Sequence, residues 1–170
     1  MGDKPLKLGS AGNLQEFVPI TTSGGAGDAG KVFATDSGGK IDNSFLPTGI
    51  GAETKTITTS EALSAGDFVN IWTSTGVKAR KADASTSGKR AHGFVLSSVS
   101  SGGSATVYLA GINNAVSGAT AGADAFLSDS VAGGFVSTQP TGTGKAVQYL
   151  GPVLSATEIA FQPTVPIVLA

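Results

Sequence analysis

"SAGDFVNIWTSTGV", residues 64–77, is the stretch on which the fold turns. Val69 and Ile71 fall on one face of an extended chain there, with Phe68, Asn70 and Trp72 on the other, the period of a half-buried β-strand. "ATVYLAG" (105–111) repeats the pattern, setting Val107 and Leu109 opposite Thr106 and Tyr108. The series continues through "AHGFVLSS" (91–98), "DAFLSDS" (124–130), "GFVST" (134–138), "KAVQYLGPVLS" (145–155), "TEIAFQP" (157–163) and "VPIVLA" (165–170), each closed by Gly, Ser, Asn or Pro. About eight short strands with close turn signals predict an all-β domain over 51–170, a compact barrel or sandwich of antiparallel strands. Ser60-Glu61-Ala62-Leu63 has room for one helical turn and nothing longer.

The opening stretch also has an echo. "SAGDFVNIWTSTGV" followed by "SGKRAHGFVLSSVS" matches "TAGADAFLSDSVAGGFV" followed by "TGKAVQYLGPVLSATE". Ala65-Gly66 pairs with Ala121-Gly122, Gly88-Lys89 with Gly144-Lys145, and Gly93 to Ser97 with Gly151 to Ser155, at offsets of 56 to 58. Two related meanders are expected.

Residues 1–50 have a different texture. Short apolar clusters, Phe17-Val18-Pro19-Ile20, Val32-Phe33-Ala34 and Phe45-Leu46-Pro47, are separated by runs such as "TTSGGAGDAG" with no helical period. This reads as an extended N-terminal arm. Asp36-Ser37-Gly38-Gly39 has turn chemistry and predicts a small hairpin over 32–45. Three phenylalanines on a segment without a core of its own require an external pocket, so Phe17, Val18, Ile20, Val32, Phe33, Phe45 and Leu46 are the candidate binding residues of the arm.

The chain has 170 residues, 40% of them hydrophobic, 25 of them glycine and only 14% charged, with a formal net charge of -1. That is apolar enough for a core and too weakly charged to draw nucleic acid or an anionic membrane over a distance. There is no cysteine, so disulfides, thiolate chemistry and the usual zinc sites are not expected. No stretch approaches the roughly 18 apolar residues of a membrane helix, and "MGDKPLKLGSAGN" lacks a signal-peptide core. Residues 78–90 hold five of the eleven basic side chains, Lys78, Arg80, Lys81, Lys89 and Arg90, a candidate rim for an acidic protein surface. The run has no interleaved aromatics and contains Asp83, which argues against nucleic acid.

Catalytic patterns are weak. The single histidine, His92, reads as a partly buried strand side chain rather than a general base. "PTGTGKA" (140–146) fails as a phosphate loop: Gln139 stands where a glycine is needed, Ala146 where Ser or Thr is needed, and no helix follows. Asp124 and Asp129 lack the spacing of a calcium loop and read as solvated strand ends. No enzyme activity, metal or cofactor is expected.

Taken together, "GKVFATDSGGKIDNSFLPTGIG", "ALSAGDFVNIW", "AHGFVLSSVSSGGSATVYLAG" and "GADAFLSDSVAGGFVST" with "VQYLGPVLSATEIAFQ" resemble structural proteins of tailed bacteriophages, particularly capsid decoration (cement) and head-fibre proteins. The likeness runs from about Gly30 to Ala170. "GKIDNSFLP" and the last fifty residues also look like modules of tail fibres and spikes. The resemblance implies a homotrimer on the outer capsid surface of a virion, with arms on the shell and the major capsid protein as partner. The alternative it implies is a tail-fibre or spike adaptor, or a head fibre, with a host-binding role.

Overall fold

The computed structural model describes residues 5–46 and 52–170. The chain divides into two compact units, Met1–Gly51 and Ala52–Ala170.

In the first unit, β1 (Leu6–Leu8) and β2 (Leu14–Glu16) form an antiparallel hairpin, closed where the Gly9 N–H reaches the Asn13 carbonyl at 2.8 Å. The expected hairpin over 32–45 does not form. Asp36 does make the tight turn, its Oδ1 accepting the N–H groups of Gly38 and Lys40, but Phe33 pairs in parallel with Ile20 instead. Two short 3₁₀ turns, Ala26–Asp28 and Asn43–Phe45, complete the unit. Side chains satisfying nearby backbone groups hold it together: Asp28 accepts from Gly24 N–H, Asp42 from Ser44 N–H, and the Ser44 hydroxyl from Ser23 N–H at 2.7 Å. Not one residue of 5–46 is buried. A unit of this kind lacks the apolar burial that offsets conformational entropy in an ordinary domain.

The second unit is all-β. Its first sheet holds β3 (Thr54–Thr58), β4 (Phe68–Ser74), β5 (Gly76–Lys81), β6 (Gly93–Phe94) and β7 (Ser104–Tyr108), in the order β3-β7-β6-β4-β5. Thr59 bridges in parallel to Ala79 of β5, so the two edges meet and the sheet closes as a small barrel. Closure removes the exposed sheet edge. Ile57, Leu63, Val69, Ala79, Val95, Ala105 and Val107 fill it. Residues 60–63 are therefore not a helical turn: Ser60 N–H bonds the Ala79 carbonyl and Leu63 pairs with Val99.

The second sheet holds β8 (Gly111–Asn113), β9 (Asp124–Leu127), β10 (Phe135–Val136), β12 (Tyr149–Ser155) and β13 (Glu158–Phe161), in the order β8-β13-β12-β9-β10. β11 (Ala146–Val147) pairs separately with β14 (Ile167–Val168). Counted along the chain, both sheets run first, fifth, fourth, second, third. The registers agree as well: Val69 faces Gly93 and Ala125 faces Gly151; Asn70 faces Arg80 and Phe126 faces Val136. The turns agree too, since the N–H of Gly66 bonds the Val95 carbonyl and that of Gly122 the Val153 carbonyl. The two halves are copies of one five-strand unit, though its non-sequential strand order is not that of a meander.

Gly93 and Gly151 occupy matching positions for a matching reason. A Cβ at Gly93 would run into the Tyr108 carbonyl oxygen, and one at Gly151 into that of Ala160, the counterpart of Tyr108. The copies share a second core in which Phe68 and Phe94 of the barrel meet Leu127, Leu150, Ile159 and Phe161. Phe161 lies 5.7 Å from Phe68 and 5.6 Å from Phe94, ring centroid to ring centroid.

Candidate functional site

The arm residues fall into two groups. Val18, Val32, Phe33 and Leu46 are exposed, and Phe17, Ile20 and Phe45 are half-buried. Phe33 and Phe45 lean on each other at 5.4 Å, the one ring contact among the described arm residues. Leu6, Leu8, Leu14 and Ile41 add to the exposed apolar surface; Val18 at 81% and Leu8 at 72% are nearly as open as in an unfolded chain. The β1–β2 hairpin was not foreseen from the sequence, where single leucines among polar residues give no strand signal. A small hollow lies between Phe17, Val18 and the Gly30 to Val32 backbone. Asp28 beside it is held below the ordinary carboxyl pKa by the Lys31 ammonium and the Gly24 N–H.

The basic residues lie on one flank of the barrel, on β5 and the connection to β6. The structure sorts them. Lys81 pairs with Asp67 at 3.3 Å and Lys89 with Asp83 at 3.8 Å. Lys78, Arg80 and Arg90 have no carboxylate partner among the described residues. Arg80 stacks over Trp72 at 4.3 Å and donates to Asn70 Oδ1 at 3.0 Å. Its guanidinium is thereby fixed as a flat cationic surface.

His92 sits beside this cluster. The Ile71 N–H donates to its Nδ1 at 2.9 Å, and Arg90 Nε lies 2.8 Å from its Nε2. An imidazolium would set N–H against N–H at both positions, the neutral ring at only one. Burial and then the Arg90 charge hold its pKa below the ordinary histidine value. Its surroundings suit a structural acceptor.

Asp129 pairs with Lys145 at 2.5 Å, which lowers its pKa, and Asp124 lies at the start of β9, where after burial its charge helps raise the Tyr149 pKa. Among the described residues no three His, Asp or Glu side chains stand together as metal ligands would. The 140–145 stretch is a turn, the Lys145 N–H reaching back to the Gly142 carbonyl.

Two buried polar side chains escaped the sequence reading. Gln148 donates to the Ala91 and Thr164 carbonyls and accepts from the Ala91 N–H. Asn113 donates to the Gly66 carbonyl at 2.8 Å. Each ties one copy of the five-strand unit to the other. Compared with protein-family models, curated proteins and solved structures, the chain finds no match.

Proposed function

We propose that this chain is a non-enzymatic capsid decoration protein of a tailed bacteriophage, a homotrimer whose arms dock on the major capsid protein at the outer surface of the head. The observation that carries the reading is the contrast between the units. One has a closed barrel and a shared aromatic core; the other presents eight large exposed apolar side chains within residues 5–46, as many as residues 52–170 present over nearly three times the length, and none of its described residues is buried. Exposed strand edges and apolar pegs release their free energy only against a partner. Ordering such a segment costs on the order of 1–2 kcal/mol per residue, which a large or many-times-repeated interface offsets. A shell of identical subunits offers that repetition, and a protein that binds only the assembled shell stabilises it by mass action. The cations Lys78, Arg80 and Arg90, without a carboxylate partner among the described residues, add a rim for an acidic subunit surface. Purified protein titrated onto undecorated heads is expected to saturate at a fixed number of copies per shell. Binding to tails alone would favour the tail-fibre or spike adaptor instead.

A further inference from the structure

The two five-strand copies differ at one place, and the difference leaves a slot. In the first copy the chain stays extended after β3: Thr59 bridges to Ala79, the Ser60 N–H reaches the Ala79 carbonyl at 2.9 Å, and Leu63, 2% exposed, closes the barrel. Lys55 and Leu63 are there separated by residues 56–62. Their counterparts Asn113 and Ala119 are separated by residues 114–118 only, two fewer. Among the described residues no bridge from 114–118 reaches Phe135, the counterpart of Ala79, and an alanine replaces the plugging leucine. β10 is therefore an open edge, and between it and residues 115–118 runs a groove of 810 Å³ lined by Val116, Ala123, Phe135 and Val153 among others.

The first copy also shows what fits there. Its closing segment, Ile57–Ser60, reads Ile-Thr-Thr-Ser, and that tetrapeptide occurs at one other place in the chain, Ile20–Ser23. We propose that the groove takes Ile20–Ser23 from a second copy of this chain, added as a strand parallel to β10. Thr22 then stands where Thr59 stands in the barrel, and Ser23 N–H exchanges the Ser44 hydroxyl, now 2.7 Å away, for the Phe135 carbonyl. Strand addition of this kind gains main-chain hydrogen bonds plus a pocket for alternate side chains. Little is lost on the donor side, because no described residue of the arm is buried. Peg and slot lie on the same chain, so the contact is head-to-tail and closes as a ring if the rotation allows. The proposal rests on the trimer reading for the number of copies alone.

The test uses full-length chains without phage heads, so its failure leaves capsid docking standing. The protein has no cysteine, which makes single introduced thiols unambiguous. Thr22→Cys and Ser137→Cys chains are purified separately, mixed and treated with a short bismaleimide. Thr138→Cys, exposed on the same rim, is run in parallel in case the Ser137 variant misfolds, and exposed Ser101→Cys is the off-site control. The expected product is a covalent dimer joining position 22 to position 137 or 138, absent with position 101. It should be lost when Ser23→Pro removes the N–H. A dimer yield no greater than that with position 101 overturns the proposal. So does a Thr22→Cys/Ser137→Cys double variant that links only within one chain.

Discussion

Replacing Phe161 by alanine tests whether the barrel and the second sheet fold as one body. Phe161 is 4% exposed and stands in ring contact with Phe68 and Phe94, so it is the aromatic link between the copies. Truncating a buried phenylalanine costs about 3–5 kcal/mol, and two lost ring contacts place this site in the upper part of that range. Against a typical total of about 5–15 kcal/mol, that is a third or more of the stability. The melting temperature should fall by roughly 15–20 °C. The assay is urea unfolding followed by Trp72 fluorescence and by far-ultraviolet circular dichroism. Trp72, the single tryptophan, lies on β4 in the first copy, so it reports on the barrel although the lesion is in the second. The two probes should move together with an unchanged denaturant slope. A loss below about 1 kcal/mol, or sheet signal disappearing while Trp72 stays native, would refute the shared core.

Three further outcomes follow from particular sites. Gly93→Ala and Gly151→Ala should each cost about 3 kcal/mol or more, because the new methyl meets a carbonyl oxygen across the sheet, whereas Gly76→Ala, in open space at φ 87, should cost about 1–2 kcal/mol. Equal melting shifts at the three positions would contradict the close-approach argument. For His92, the folded pKa lies below the unfolded value near 6.5, so the unfolded chain takes up the proton first and stability should decline as pH falls from about 7 towards 5. Urea midpoints for wild type and His92→Gln should converge over that range, and parallel curves would remove His92 as the cause. Raising salt should weaken attachment to heads, and Lys78→Ala, Arg80→Ala and Arg90→Ala should reduce that dependence more than Lys81→Ala or Lys89→Ala, whose charges are partnered at home. Salt-independent binding would exclude the rim.

The strands of the β-domain were legible because their alternation is local: Val69 and Phe68 announce opposite faces whatever they pair with. The duplication was legible because matched turns and glycines recur at nearly constant spacing, and the reason, close backbone approach at Gly93 and Gly151, appears only in the fold. Pairing was not legible, since β3 finds β7 across some fifty residues and nothing in Thr54–Thr58 names its partner. Barrel closure by Thr59 was hidden for the same reason, and a Ser-Glu-Ala-Leu stretch that suits a helical turn is instead a bend tied at its two ends to Ala79 and Val99. In the arm, the Asp36 turn was visible from Asp-Ser-Gly-Gly, but its flanks went elsewhere because Phe33 had Ile20 to pair with. The groove could not be foreseen, because it depends on a two-residue deficit between strands whose equivalence only the registers reveal.

The most direct test of the account compares the full chain with one beginning at Ala52, each titrated onto undecorated phage heads. The shorter chain should still fold cooperatively, since its core lies wholly in residues 52–170, although it loses whatever stability the strand from a second copy adds. The full chain should saturate the shell while the shorter one fails to bind at the same concentration. Equal binding by both would place the contact on the β-domain and contradict the role assigned to the arm.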